Sequence, residues 1–64
     1  MTVTAEEPYI GLDEPDAVDA AEWRGYLVRI VRRNRQYFSV DDEYNPFRVN
    51  LEIDAGLVTQ SYFG

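Results

Sequence analysis

Three observations predict an α+β fold in which one helix packs on a small sheet. An acidic segment with regularly spaced alanines has the pattern of a short helix, and a run rich in β-branched residues, 26–33, follows it directly. From Phe47 to Asp54, apolar and polar side chains alternate as they do in a strand with one buried face. The order helix, strand, long connection, strand, turn, strand is typical of this class.

The predicted helix spans about 14–24. Asp13 is a residue type that caps helix N-termini, and Gly25 stands where a helix often ends in a left-handed residue. The apolar stripe is formed by small side chains, which lets the helix lie close to its support. These side chains are Ala17, Ala20 and Ala21.

The strands are predicted at 26–33, 47–53 and in LVTQSYF, which begins at Leu57. Strict alternation places Arg32 on the same face as the apolar residues of the first strand, and Phe47 on the apolar face of the second. The predicted core consists of Val28, Ile30, Val49, Leu51 and Ile53. Residues 34–46 have no clear period and are predicted as one long connection, which in a compact domain is often functional.

The remaining boundary lies near the start of the chain. Residues 1–9 have no periodic pattern and are predicted as a flexible N-terminal tail, with a single domain at 10–64. A chain of 64 residues has room for one thin core.

The composition excludes several function classes. Cysteine and histidine are absent, which removes thiolate zinc sites and the usual general base, so the chain is predicted not to be an enzyme and to need no metal or cofactor. The net charge is -6, which argues against nucleic acid as a partner. No apolar run is long enough to cross a membrane, so a membrane is not a predicted partner, and the composition does not select a compartment.

The segment SVDDEYNPFRVNLE, 39–52, is the most informative in the chain. It places three adjacent carboxylates, Asp41, Asp42 and Glu43, just ahead of a predicted strand that carries Arg48. A planar guanidinium can bond two carboxylates, which suggests that Arg48 bonds Asp41 and Glu43 and leaves Asp42 pointing outward.

The ordered set of motifs resembles the potato inhibitor type I family, and most closely its small bacterial branch. The resemblance covers about 10–64 and rests on the helix segment, the strand YLVRIVRR, the run VDDEYNPFRVNLEID and the closing GLV and FG. The family pattern V-T-x-[DE]-Y-x-P-x-R-[VL]-N-[VL] is matched without a gap at Val40, Glu43, Tyr44, Pro46, Arg48, Val49, Asn50 and Leu51.

The resemblance implies a serine-peptidase inhibitor with two parallel strands and a long exposed reactive-type loop between them. The implied loop residues are Val40, Asp41, Asp42, Glu43 and Tyr44, with the scissile bond between Asp42 and Glu43. It further implies that Arg48 supports the loop from the strand, with Asn50 at the position where some members carry a second arginine. The partner would be a subtilisin-like or an acid-specific chymotrypsin-like peptidase.

The sequence departs from the family at two loop positions. The family usually has threonine where this chain has Asp41, and a large apolar side chain where it has Asp42. A non-inhibitory interaction module on the same scaffold, binding another protein, is therefore the alternative function. For the acidic run itself, a solvated loop that protects a sheet edge and a calcium site formed by Asp41, Glu43 and Asn45 stay open.

Overall fold

The structure, a computed structural model, describes residues 7–64. It consists of a short 3₁₀ turn at Glu7–Tyr9, one helix and four strands. The elements are α1 at Glu14–Trp23, β1 at Leu27–Arg33, β2 at Gln36–Tyr37, β3 at Arg48–Asp54 and β4 at Leu57–Phe63. The strand order is β2-β1-β3-β4; β1 and β3 are parallel and the other two pairs are antiparallel. The predicted α+β class, with one helix on a small mixed sheet, is confirmed.

The C-terminus of α1 ends as its sequence predicts. Gly25 has a φ of 87°, and its N–H donates to the carbonyl of Glu22 over 2.9 Å. The N–H of Tyr26 donates to the carbonyl of Ala21 over 3.1 Å. These two bonds form a Schellman motif, which satisfies carbonyls that the helix itself leaves without partners.

The N-terminus of α1 is satisfied in a way that the sequence did not indicate. Asp13 occupies the N-cap position, but within the described residues its side chain makes no capping hydrogen bond. Instead, the N–H of Glu14 donates over 2.9 Å to the carbonyl of Gly56, in the turn between β3 and β4. A distant turn therefore supplies one of the acceptors that a helix N-terminus needs.

The core lies between α1 and the apolar face of the sheet, where small helix side chains form one cluster with residues of β3 and β4. The prediction is confirmed for Val49, Leu51 and Ile53, whereas Val28 and Ile30 are only partly buried and pack against this cluster. The fully or almost fully buried apolar residues are Tyr9, Ala17, Ala21, Val49, Leu51, Ile53 and Val58.

The burial of Tyr9 moves the boundary of the packed domain toward the N-terminus. Sequence analysis assigned 1–9 to a tail; residues 1–6 of that range lie outside the described residues, but Tyr9 ends a 3₁₀ turn and its side chain is fully buried. Tyr9 belongs to no segment of regular alternation or helical spacing, which is why the pattern did not reveal its burial.

A bulge in β1 corrects the predicted face of Arg32. Ile30 pairs with Leu51, but the next paired residue, Arg32, faces Glu52, so the register skips Val31. The extra residue reverses the alternation. Arg32 therefore lies on the polar face of the sheet and not with Val28 and Ile30 as strict alternation predicted.

The connection predicted at 34–46 begins with a hairpin and not with an irregular loop. β2 pairs with the end of β1, and the N–H of Phe38 donates to the carbonyl of Val31 over 3.0 Å. The irregular segment is therefore 38–47, which includes Phe47, whose side chain is exposed where alternation predicted burial.

Within the described residues, no helix is long and apolar enough to cross a membrane.

Candidate functional site

The candidate site is the segment 38–47, which connects β2 to β3. All five residues predicted to form the reactive-type loop are exposed: Val40, Asp41, Asp42, Glu43 and Tyr44. The face of the sheet opposite α1 carries the side chains that hold this segment, because β3 alternates between core residues and polar residues.

Arg48, at the start of β3, bonds the main chain of the loop. Its Nη2 donates to the carbonyl oxygen of Glu43 over 2.6 Å and lies 3.8 Å from a carboxylate oxygen of Asp41. Its Nε donates to the carbonyl oxygen of Gly64 over 2.7 Å. The predicted fork onto two carboxylates is therefore wrong for Glu43, which is held through its backbone. A backbone contact fixes the path of the chain whatever side chain the loop presents.

A second guanidinium, that of Arg29 in β1, also reaches the loop. Its Nη1 donates to a carboxylate oxygen of Asp41 over 3.4 Å, and its Nε donates to Oδ1 of Asn50 over 2.7 Å. Sequence reasoning did not assign Arg29 to the site, since it precedes the loop by a whole hairpin. Parallel pairing of Arg29 with Asn50 brings it there.

Asn50, on the polar face of β3, is fully buried. Its Oδ1 accepts from Arg29, and its Nδ2 donates to the carbonyl oxygen of Gly64 over 3.1 Å and to that of Tyr62 over 3.4 Å. A buried amide with its donors and acceptor in use is held in one orientation. Asn50 thus joins β1, β3 and the end of β4 beneath the loop.

The loop also makes hydrogen bonds of its own. Oδ1 of Asp41 accepts from the N–H of Glu43 over 3.2 Å, and Oδ1 of Asn45 accepts from the N–H of Phe47 over 2.9 Å. These short-range bonds have the form of Asx turns, which constrain the backbone on both sides of Tyr44. Asp42 lies within the first turn; its side chain is exposed and has no hydrogen bond or ion pair to any described residue.

The other half of the polar face forms a separate ionic cluster around Arg32. Its guanidinium donates to Glu52 over 2.7 Å and to both carboxylate oxygens of Asp54 over 2.7 and 2.8 Å. The hydrogen bonds from Arg32 and from Thr59 lower the pKa of Asp54 to about 2. At the same end, Arg33 donates to both oxygens of Glu14 and lowers the pKa of that carboxyl. The Arg32 cluster joins β1, β3 and β4, and the Arg33–Glu14 pair separately joins β1 to α1; neither takes part in the loop support.

Metal-binding side chains do not converge on the loop. Among residues 7–64, no group of three or more histidine, cysteine, aspartate or glutamate side chains is placed to hold a metal ion. The calcium alternative names Asp41, Glu43 and Asn45; in the structure, Oδ1 of Asp41 and Oδ1 of Asn45 each accept a hydrogen bond from a backbone N–H.

The comparisons with known proteins supply no relatives for this chain. No protein-family model matches it, and neither the curated proteins nor the solved structures contain a match.

Proposed function

We propose that the protein is a reversible serine-peptidase inhibitor that presents 40–44 to a target peptidase as a substrate-like segment. The observation that carries the proposal is the hydrogen bond from Arg48 Nη2 to the carbonyl oxygen of Glu43. This bond holds the backbone immediately after the proposed scissile bond, between Asp42 and Glu43. The sheet thereby supports the residue whose displacement would separate the two halves of a cut bond.

Preorganisation is the physical basis of the proposed inhibition. Ordering the backbone of one residue costs roughly 1–2 kcal/mol, so five free loop residues would lose much of the energy gained on docking. The bonds made by Arg48, Arg29 and the Asx turns order the loop when the protein folds. Binding to a peptidase therefore does not have to overcome this loss of conformational entropy. A peptidase that cleaves such a loop would also release its products slowly, because both ends remain attached to one sheet.

Two arginines of the sheet partly balance the negative charge of the loop. Three carboxylates in a row repel one another, but Asp41 lies between the guanidiniums of Arg29 and Arg48. Two cations facing three anions leave a small negative excess at Asp42 and Glu43. A charged side chain at the primary specificity position favours a target that cuts after acidic residues, since an apolar pocket would desolvate the carboxylate without a partner.

The alternative is an interaction module that uses the same loop without inhibiting a peptidase. The specific observation in its favour is the exposed and unpartnered side chain of Asp42 within the described structure. An acidic tip on a supported loop would suit a basic surface of another protein equally well.

An inhibition panel tests the proposal. The panel contains a subtilisin, a chymotrypsin-like enzyme and a glutamate-specific serine peptidase, each titrated with the protein while intact and cleaved chains are followed by mass spectrometry. We expect inhibition of the glutamate-specific enzyme with slow turnover of the Asp42–Glu43 bond. Rapid cleavage without inhibition, or no inhibition of any enzyme in the panel, would favour the interaction module.

A further inference from the structure

A second surface, on α1, has features that the loop does not explain. Trp23 ends the helix with 92% of its side chain exposed, the largest exposure among the large apolar residues described. Asp19, Ala20, Glu22 and Trp23 line a shallow concave surface. Asp16 and Asp19 precede Trp23 by seven and four positions, so the three side chains lie along one stripe of the helix. We name Asp16, Asp19, Glu22 and Trp23 the acidic helix face.

The acidic helix face is electrostatically unbalanced within the described structure. Asp16, Asp19 and Glu22 form no ion pair with any described residue, and the last turn of α1 carries no base. The carbonyl end of a helix is negative and favours cations, so Glu22 is in an unfavourable position there. The nearest base in sequence, Arg24, lies over the ring of Tyr9 at 5.5 Å from its centroid.

An exposed indole beside free carboxylates is suited to binding a cation. Helical side chains lean toward the N-terminus, which directs Trp23 toward the turn that contains Asp19 and Ala20, and these residues line one concave surface. Tryptophan is the best aromatic partner for a cation, and a cation on its face would also be near the carboxylate of Asp19. Arginine combines stacking on an aromatic ring with bonds to a carboxylate, which a compact ammonium cannot do equally well.

We propose that the acidic helix face binds an arginine-bearing basic segment of a partner protein, with one guanidinium stacked on Trp23. Seven helical positions separate Asp16 from Trp23, a length of about 10 Å. An extended chain covers this distance in about three residues. The face therefore matches a short segment with more than one base, and the net charge of -6 would attract such a segment. This proposal does not depend on peptidase inhibition.

The experiment uses Trp23 as its own reporter, because it is the single tryptophan of the chain. Tryptophan fluorescence of the full chain is followed while a short capped peptide of alternating glycine and arginine is added at low ionic strength. We expect a saturable change in fluorescence that weakens with added salt. A peptide of the same length with glutamine in place of arginine should produce no change.

Three variants, compared by calorimetry, distinguish a specific face from general attraction. Trp23→Leu should weaken arginine-peptide binding by about threefold to fivefold, since an exposed cation–π contact contributes modestly. The double variant Asp19→Asn with Glu22→Gln should weaken it by about tenfold at most. The double variant Gln36→Lys with Gln60→Lys changes the net charge by the same amount at exposed positions outside both surfaces and should bind within about twofold of the parent.

Circular dichroism checks that each variant keeps its fold; Trp23 is so exposed that its replacement removes little packing. If the parent chain does not bind the arginine peptide, the proposal fails. It fails equally if Trp23→Leu binds as the parent does, or if the two double variants lose the same affinity. The glutamate-specific peptidase assay reports on the loop separately, so failure at one surface leaves the other proposal intact.

Discussion

Arg29 and Asn50 are register partners on two parallel strands, and the Nε of Arg29 donates to Oδ1 of Asn50 over 2.7 Å. This bond connects β1 to β3 directly beneath the loop. Arg29 uses its other end to reach Asp41, while Asn50 bonds the carbonyl of Gly64, which also accepts from Arg48. The support of the loop is therefore a network across three strands and not a single arginine.

Replacing Arg48 with alanine should loosen the loop while the fold is retained. The guanidinium holds the Glu43 carbonyl from the polar face of the sheet, and Arg48 is not part of the apolar core. We expect faster amide exchange at 41–44 and faster proteolysis near the Asp42–Glu43 bond. Arg35→Ala is the matched control, since Arg35 has no ion pair with any described residue. Equal amide exchange in both variants would show that Arg48 does not order the loop.

Asn50→Ala should destabilise the whole domain as well as the loop. Asn50 is fully buried, and the change leaves the Nε of Arg29 without its Asn50 partner and removes one of the two donors to the Gly64 carbonyl. Losing such bonds costs about 1–3 kcal/mol in the free energy of unfolding. Urea unfolding measures this loss, and Gln60→Ala on the exposed side of β4 serves as the control. A loss no greater than that of the control would show that the network contributes nothing to stability.

Asp42→Leu should change which peptidase is bound without loosening the loop. The Asp42 side chain bonds no described residue, so its removal leaves the supporting contacts in place. Affinity for a subtilisin should rise, because leucine avoids the cost of desolvating a carboxylate in an apolar pocket. Inhibition constants and loop exchange are measured together. An ordered loop with no gain against any apolar-pocket peptidase would favour the interaction module.

Leu51→Ala should lower the free energy of unfolding by about 2–5 kcal/mol, since it opens a cavity in a fully buried site. That is a large share of what a small domain has. Leu57→Ala is the matched control because 42% of the Leu57 side chain is exposed, and it should cost much less. Urea unfolding of both variants provides the comparison. A loss below about 1 kcal/mol for Leu51→Ala would contradict the central position of this side chain in the core.

Stability should fall in acid as Asp54 takes up its proton. The pKa of Asp54 in the folded protein is about 2, below its ordinary value of 3.8, because Arg32 and Thr59 bond the carboxylate. Its contribution is therefore complete above about pH 4 and is lost as the pH falls toward 2. Asp54→Asn should flatten this part of the stability curve, measured by urea unfolding at several pH values. Asp42→Asn, which removes a carboxylate without a described cation partner, should not.

The elements with a strong pattern could be predicted from sequence, and their interactions across the sheet could not. The alternation in β3 predicted its three buried apolar residues, and Gly25 predicted the end of α1. Alternation fails at a bulge, however, and the bulge at Val31 moved Arg32 to the polar face. Nothing in YLVRIVRR itself marks this position, because Val31 is β-branched as Ile30 and Val28 are.

The candidate site was predictable only in part for a similar reason. Arg48 and Asn50 could be recognised within one continuous motif, whereas Arg29 joins them through pairing between distant segments. The available signal was that Arg29 alternates with Val28 and Ile30 along β1, which places it on the opposite face of the strand. Predicting the contact between Arg29 and Asp41 would have required the parallel register of β1 and β3. The residues of β1 alone do not specify this register.

The hydrogen bond from Glu14 to Gly56 has a consequence for how the chain folds. A ten-residue helix is too short to be stable alone in water. The N–H of Glu14 in α1 donates to Gly56 in the distant hairpin, and the helix alanines share one core with residues of β3 and β4. The helix therefore gains its stability only after the β3–β4 turn has formed. During synthesis, a nascent chain that still lacks Gly56 should therefore have no persistent helix. The domain should acquire its structure late and in a single cooperative step, once the hairpin leaves the ribosome.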